Sequence, residues 1–207
     1  MLRRRLMIEQ KGGHEYVEIG GIKWATMNIG AESITDYGLY FQWGETNGYT
    51  YDQLIAGLFP TGWTNYKFNP SGDGSTFTKY NNTDRKYYLD LEDDAANAAW
   101  GGNWRMPTTM EFRELRSATV RTITTIDGVD GVLFTDQVDN SKTLFLPSAG
   151  GVEKRYWGNY KSGLMYWLSQ CQISEPTAYT AEGMPNTSVD SYAYRASIYT
   201  IRAILDE

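Results

Sequence analysis

Apolar residues at helical spacing occur in only one part of this chain, between Asp93 and Ala118, so strands and loops must make up nearly everything else. Asp93-Asp94-Ala95-Ala96-Asn97-Ala98-Ala99-Trp100 begins with carboxylates that suit the positive end of a helix dipole, continues in alanine and stops at Gly101-Gly102. This predicts one short helix. A second is predicted after Pro107, where Thr108 and Glu111 have capping-box spacing and Met110, Phe112 and Leu115 supply an apolar face down to Ala118. Upstream, Tyr16–Ile19 and Ile22-Lys23-Trp24 flank Gly20-Gly21, and two glycines reach the positive φ angles that a tight hairpin turn demands. Downstream, Val120–Ile126, Val132–Thr135 and Thr143–Leu146 are β-branched or apolar runs separated by Asp127-Gly128, Asp130-Gly131 and Asp139-Asn140, a meander pattern. Residues 30–82 and 147–185 lack a clear period and read as long irregular loops, with a short strand around Tyr40-Phe41-Gln42-Trp43. Ala193–Leu205 reads as a closing strand. The class is α+β: mixed twisted β-sheets, two short helices and long irregular loops.

No Pro/Ser linker, charge block or low-complexity tract divides the 207 residues, so a single domain over residues 14–207 is expected, behind a flexible leader at 1–13. In that leader Arg3-Arg4-Arg5 has the charge of a signal-peptide start, but Leu6-Met7-Ile8 runs at once into Glu9-Gln10-Lys11. No signal peptide is visible, and no stretch of the sequence is apolar for long enough to predict membrane insertion. The net charge of -6 gives phosphates no general attraction, so nucleic acid is not an expected partner. Cys171 is the single cysteine, which excludes an internal disulfide and a multi-cysteine metal site; His14, the single histidine, argues against multi-imidazole zinc. Asp90, Glu92, Asp93 and Asp94 offer oxygen ligands of the kind calcium takes, but helix capping accounts for them better. No cofactor and no metal is expected. The 16 Tyr and 7 Trp exceed what a core of this size needs, which predicts that some of these rings face solvent as stiff, amphipathic contact area.

Several segments, taken in order, resemble the Fibrobacter succinogenes major paralogous domain family. They are Trp24-Ala25-Thr26-Met27-Asn28-Ile29-Gly30-Ala31, Tyr40-Phe41-Gln42-Trp43-Gly44-Glu45-Thr46, Asp93-Asp94-Ala95-Ala96 and Trp100-Gly101-Gly102-Asn103-Trp104-Arg105-Met106-Pro107-Thr108. Glu111-Phe112, Leu115, Phe145-Leu146-Pro147-Ser148-Ala149-Gly150 and Ile201-Arg202-Ala203-Ile204 continue the series over residues 16–205. The resemblance implies a C-type-lectin-like fold related to formylglycine-generating enzymes, the scaffold also used by variable proteins of diversity-generating retroelements. It implies a ligand-binding domain at a cell surface, secreted or on a phage virion; a protein or a cell-surface glycan is the expected partner, and the domain is expected to be monomeric and non-enzymatic. Formylglycine-generating enzymes use two cysteines, and here only Cys171 exists, so no catalytic residue is expected. A carbohydrate-active enzyme with an unrecognised carboxylate pair and a structural component of a surface or virion assembly are the alternatives.

The implied variable surface falls on the C-terminal region, where Tyr, Trp, Asn, Ser and Asp interleave. Its candidate ligand-binding residues are Tyr156, Trp157, Asn159, Tyr160, Ser162, Tyr166, Asp190, Ser191, Tyr192, Tyr194 and Ser197. Tyr192 and Tyr194 have equal parity, so a strand there would set both on one face. For Trp157, Trp167 and Tyr199 core and surface are equally open, whereas Trp24, Trp43, Glu45, Trp100, Trp104 and Arg105 read as scaffold. Glu175-Pro176-Thr177 is similar to the Glu-Pro-Asn sugar motif of calcium-dependent lectins, but Thr177 replaces the amide that serves both calcium and sugar.

Overall fold

The computed structural model describes residues 9–11, 13–60, 62–152, 163–173, 175–182 and 191–207. The first hairpin forms where two glycines permit it: β2 (His14–Ile19) and β3 (Ile22–Ala25) pair antiparallel across Gly20 and Gly21, at φ 63° and 74°. Strand β1 (Glu9–Lys11), inside the segment expected to be leader, pairs with β2 and corrects that boundary. The far end of the chain returns to this hairpin. β14 (Ile204–Leu205) lies between β3 and β5 (Trp104–Arg105), completing a five-stranded sheet in the order β1-β2-β3-β14-β5.

A larger, mixed sheet is built from β4 (Tyr40–Gln42), β9 (Gly151–Val152), β10 (Met165–Cys171), β11 (Thr177–Glu182), β12 (Ser191–Tyr194) and β13 (Ile198–Thr200). Its main path runs β12-β11-β10-β13-β4; β10 and β13 are parallel, and β9 pairs with β13. Gly151 has to be glycine, because a Cβ there would collide with the Tyr199 ring and the Ile198 carbonyl. Three expectations are corrected here. The stretch from Pro147 to Pro185 is not simply loop, since it contains β9, β10 and β11; the closing strand is three short strands; and Asp130-Gly131 lies inside a strand. That strand is β7 (Val129–Asp136), which with β6 (Thr119–Ile126) and β8 (Thr143–Pro147) forms the expected meander, turning at Asp127-Gly128 with both φ angles positive.

Local capping sets the helices. In α2 (Ala95–Trp100) the Asp94 side chain accepts from the Ala96 and Asn97 amides, and Gly101 ends the helix at φ 68°. In α3 (Thr109–Ala118) the Thr108–Glu111 capping box closes reciprocally. A third helix, α1 (Tyr51–Ile55), was not expected; the Thr50–Gln53 pair caps it in the same way. No helix among the described residues is long and apolar enough to cross a membrane.

The large sheet separates two cores. Trp167, Ala178 and Ala193 point into a cluster with the loop aromatics Trp43, Tyr66 and Tyr80. Tyr166, Leu168 and Ala181 point into a second cluster with Trp24, Phe112 and Phe134. Burial of each large apolar side chain such as Leu168 or Phe134 contributes about 1.5–3 kcal/mol. Two arginines are sewn into this interior. Arg202 donates to Asn28 Oδ1 (2.9 Å) and to the carbonyls of Ala25 (2.9 Å) and Phe145 (3.1 Å); burial pushes its pKa down to about 10. Arg195, fully buried, donates from Nη2 to the carbonyls of Tyr80, Gln172 and Glu175 at 2.9–3.1 Å, and its guanidinium lies 4.5 Å from the Phe77 ring. Strands too short to hold one another are thus tied through side chain to backbone.

Candidate ligand-binding surface

Strand β12 ends the described part of the large sheet. Its pleat alternates: Tyr192 and Tyr194 are 47% and 40% exposed, while Ala193 and Arg195 are buried. Ser191 is half-buried, and its Oγ donates to Glu182 Oε2 (2.6 Å). Register places Tyr179 of β11 directly across from Tyr192, with ring centroids 4.9 Å apart in an edge-to-face arrangement. The ring of Tyr194 approaches buried Trp63 at 6.1 Å, also edge-on. The exposed tyrosines therefore lean on partners that packing holds in place.

The other sequence candidates divide into two groups. Tyr156, Trp157, Asn159, Tyr160, Ser162 and Asp190 lie outside the described residues. Tyr166 and Ser197 are each 1% exposed, which corrects their placement on the surface. Tyr166 sits in the middle of the sheet, where its hydroxyl donates to the Pro147 carbonyl (2.8 Å) and accepts from Asn28 Nδ2 (3.2 Å). Burial pushes its phenol up to about 12. Ser197 donates its backbone N–H to Tyr194 O (2.7 Å) in the turn after β12, and its Oγ is buried with no partner among the described residues. Trp167 and Tyr199, left open between core and surface, are both core. Tyr179 was missed, because the sequence from Pro147 to Pro185 shows too little alternation to mark β11.

The acidic cluster closes on a cation of the chain itself. Lys79 Nζ lies 2.7 Å from Asp90 Oδ2, 2.7 Å from Glu92 Oε1 and 2.5 Å from Asp93 Oδ2. Burial pushes the Asp93 carboxyl up, but hydrogen bonds from Lys79, Tyr80 and Lys67 outweigh it and hold the group below the usual carboxylate range. Asp94 behaves differently: it caps α2, also accepts from the Met106 amide (2.8 Å), and burial raises its pKa. Arg105 is the second such centre, paired with Glu111 (2.5 Å) and Asp206 (2.6 Å), which agrees with its reading as scaffold. Trp24, Trp43 and Trp104 are buried as scaffold residues should be, whereas Trp100 is half-buried and stacks on His14 at 4.0 Å. In the Glu175-Pro176-Thr177 segment, Thr177 Oγ1 bonds Gln172 Oε1 and the Pro176 carbonyl accepts from the Arg195 amide (2.9 Å). Those contacts serve the turn. Cys171 is buried, and burial pushes its thiol up to about 11, the state of an inert thiol rather than a nucleophile.

No protein-family model, curated protein or solved structure matches the chain.

Proposed function

We propose that this chain is a non-enzymatic ligand-binding domain of the C-type-lectin-like kind, recognising a protein or a cell-surface glycan through aromatic side chains near its C-terminus. The observation that carries the reading is the alternation on β12, where two exposed tyrosines flank buried Ala193 and are followed by Arg195, which is fully buried. Tyrosine offers a large contact area at small rotamer cost, and a ring braced by neighbours such as Tyr179 and Trp63 loses less freedom on binding. Supporting the fold reading are the pairing of β3 with β14, which joins the two ends of the chain, and the long loops that run between them. Where carboxylates gather, around Lys79 and around Arg105, a cation stands between them, an arrangement that favours structure over general acid–base work. By resemblance, the domain works at a cell surface, secreted or on a virion, in the manner of a retroelement variable protein.

The test begins with a screen against glycans and bacterial surface proteins, followed by calorimetry on any ligand found. Replacing Tyr192 and Tyr194 together by Ser should weaken binding by at least about 2 kcal/mol, the loss typical of central anchors. Full-strength binding by a normally melting double variant would move the recognition surface away from β12.

A further inference from the structure

A cleft of about 450 Å³, within the range of small-ligand sites, lies in the loops between β4 and Trp63. Backbone pairing of Tyr40 with Tyr49 folds the first loop back on β4, which brings Glu45, Asn47 and Tyr49 to one wall. The opposite loop is held by Gln42, 1% exposed, whose Nε2 donates to the carbonyls of Gly62 (3.3 Å) and Ala196 (3.0 Å). Asn65 completes that side, and Leu58, Phe59 and Pro60 supply an apolar platform.

What matters is which polar groups remain free. Both amide protons of Gln42 are committed, and its Oε1 acceptor has no partner among the described residues. Glu45 uses Oε1 to accept from the Lys67 amide (3.0 Å), and its second oxygen has no partner among the described residues. The side chains of Asn47 and Asn65 make no hydrogen bond with the described residues, and neither does the Tyr49 hydroxyl. Burial and the nearby Glu45 carboxylate raise the Tyr49 pKa, so this phenol keeps its proton at neutral pH. The cleft therefore presents two carboxamides, a phenol and an amide carbonyl beside one carboxylate.

We propose that this cleft binds a neutral saccharide. A sugar hydroxyl is both donor and acceptor, as is a carboxamide, and a carboxylate oxygen accepts from a hydroxyl as a charge-assisted bond. The C–H face of a pyranose ring is apolar and suits the Leu58-Phe59-Pro60 platform. Anionic ligands such as phosphate or sulfate meet the Glu45 carboxylate, with no cationic side chain among the described residues that line the cleft. The proposal stands independently of the tyrosines on β12.

The experiment titrates isotopically labelled protein with glucose, galactose, mannose, N-acetylglucosamine and their β1,4-linked disaccharides, reading side-chain carboxamide signals by NMR. At least one saccharide should produce saturable shifts of the Asn47 and Asn65 carboxamides. Asn47→Ala and Asn65→Ala should each weaken that binding by about tenfold, as expected for loss of one or two hydrogen bonds. Both residues are exposed, so thermal melting should confirm that the variants fold. No shift with any of the sugars, or shifts elsewhere with these carboxamides unmoved, would overturn the proposal. So would saturable binding of an Arg- or Lys-containing tripeptide that Glu45→Gln abolishes, since the occupant would then be a cation.

Discussion

Strands β10 and β12 belong to one sheet and carry the same kinds of side chain, yet Tyr166 and Trp167 of the first are buried while Tyr192 and Tyr194 of the second face solvent. The cause is position. β10 has β11 on one side and β13 on the other, and both of its faces are covered, by the loop aromatics and by the cluster around Trp24 and Phe112. β12 ends the described sheet, and among the described residues only the face bearing Ala193 is fully covered. A tyrosine therefore has no fixed character as core or contact residue; the number of covered faces decides it.

That contrast can be broken most severely at Trp167, whose Nε1 donates to the Phe41 carbonyl (2.8 Å) and whose ring packs 4.8 Å from that of Tyr199. Trp167→Ala should cost about 3–5 kcal/mol, read by denaturant unfolding. A loss below 1 kcal/mol would mean that the middle of the sheet is far softer than its burial indicates. Tyr166→Phe removes only an oxygen, but it leaves the Pro147 carbonyl without that donor and should cost about 1–3 kcal/mol. Neutral behaviour in the same assay would show that the buried hydroxyl is dispensable.

Acid probes the ion pairs around Lys79 and Arg105 rather than the buried strands. Asp90, Asp93 and Glu111 have folded-state pKa values below their unfolded ones, so their contribution is complete above the usual carboxylate range, near 4, and fades as pH falls through the lowered values. The melting temperature should decline on acidification from pH 5 to pH 2, and Lys79→Met should flatten part of that decline. A decline of the same size in the variant would remove the Lys79 cluster from the account. The smallest effect belongs to β12: Tyr192→Ser with Tyr194→Ser should shift unfolding by no more than about 0.5 kcal/mol per site. A larger loss would show that Tyr179 and Trp63 are held by these rings as much as they hold them.

Where the fold was legible in the sequence, the signal was local. Thr108 with Glu111, Asp94 before its alanines, Gly20-Gly21 and Asp127-Gly128 each act within a few residues, and each forms as read. The Thr50–Gln53 box escaped notice because the helix it starts is only 5 residues long, with Leu54 its single buried residue. β10 was unreadable for another reason. Buried on both faces, it shows no alternation, and its partners come from residues 177–182 and 198–200. That Tyr192 and Tyr194 share one face followed from parity, but their exposure and the burial of Tyr166 depend on which strands flank them, a property of topology. The cleft at Glu45, Asn47 and Asn65 could not be located within the irregular 30–82 stretch, because its walls meet only after β4 and the 62–66 loop are stapled through Gln42.

The alternation of β12 reaches beyond one molecule into descent. At positions 192 and 194 a new residue meets water, and at 193 and 195 it meets the interior, where Arg195 bridges three stretches of backbone. A substitution here is thus tolerated at the even positions and costly at the odd ones. Lineages that share this architecture can drift apart in what they touch while every second residue stays where it was.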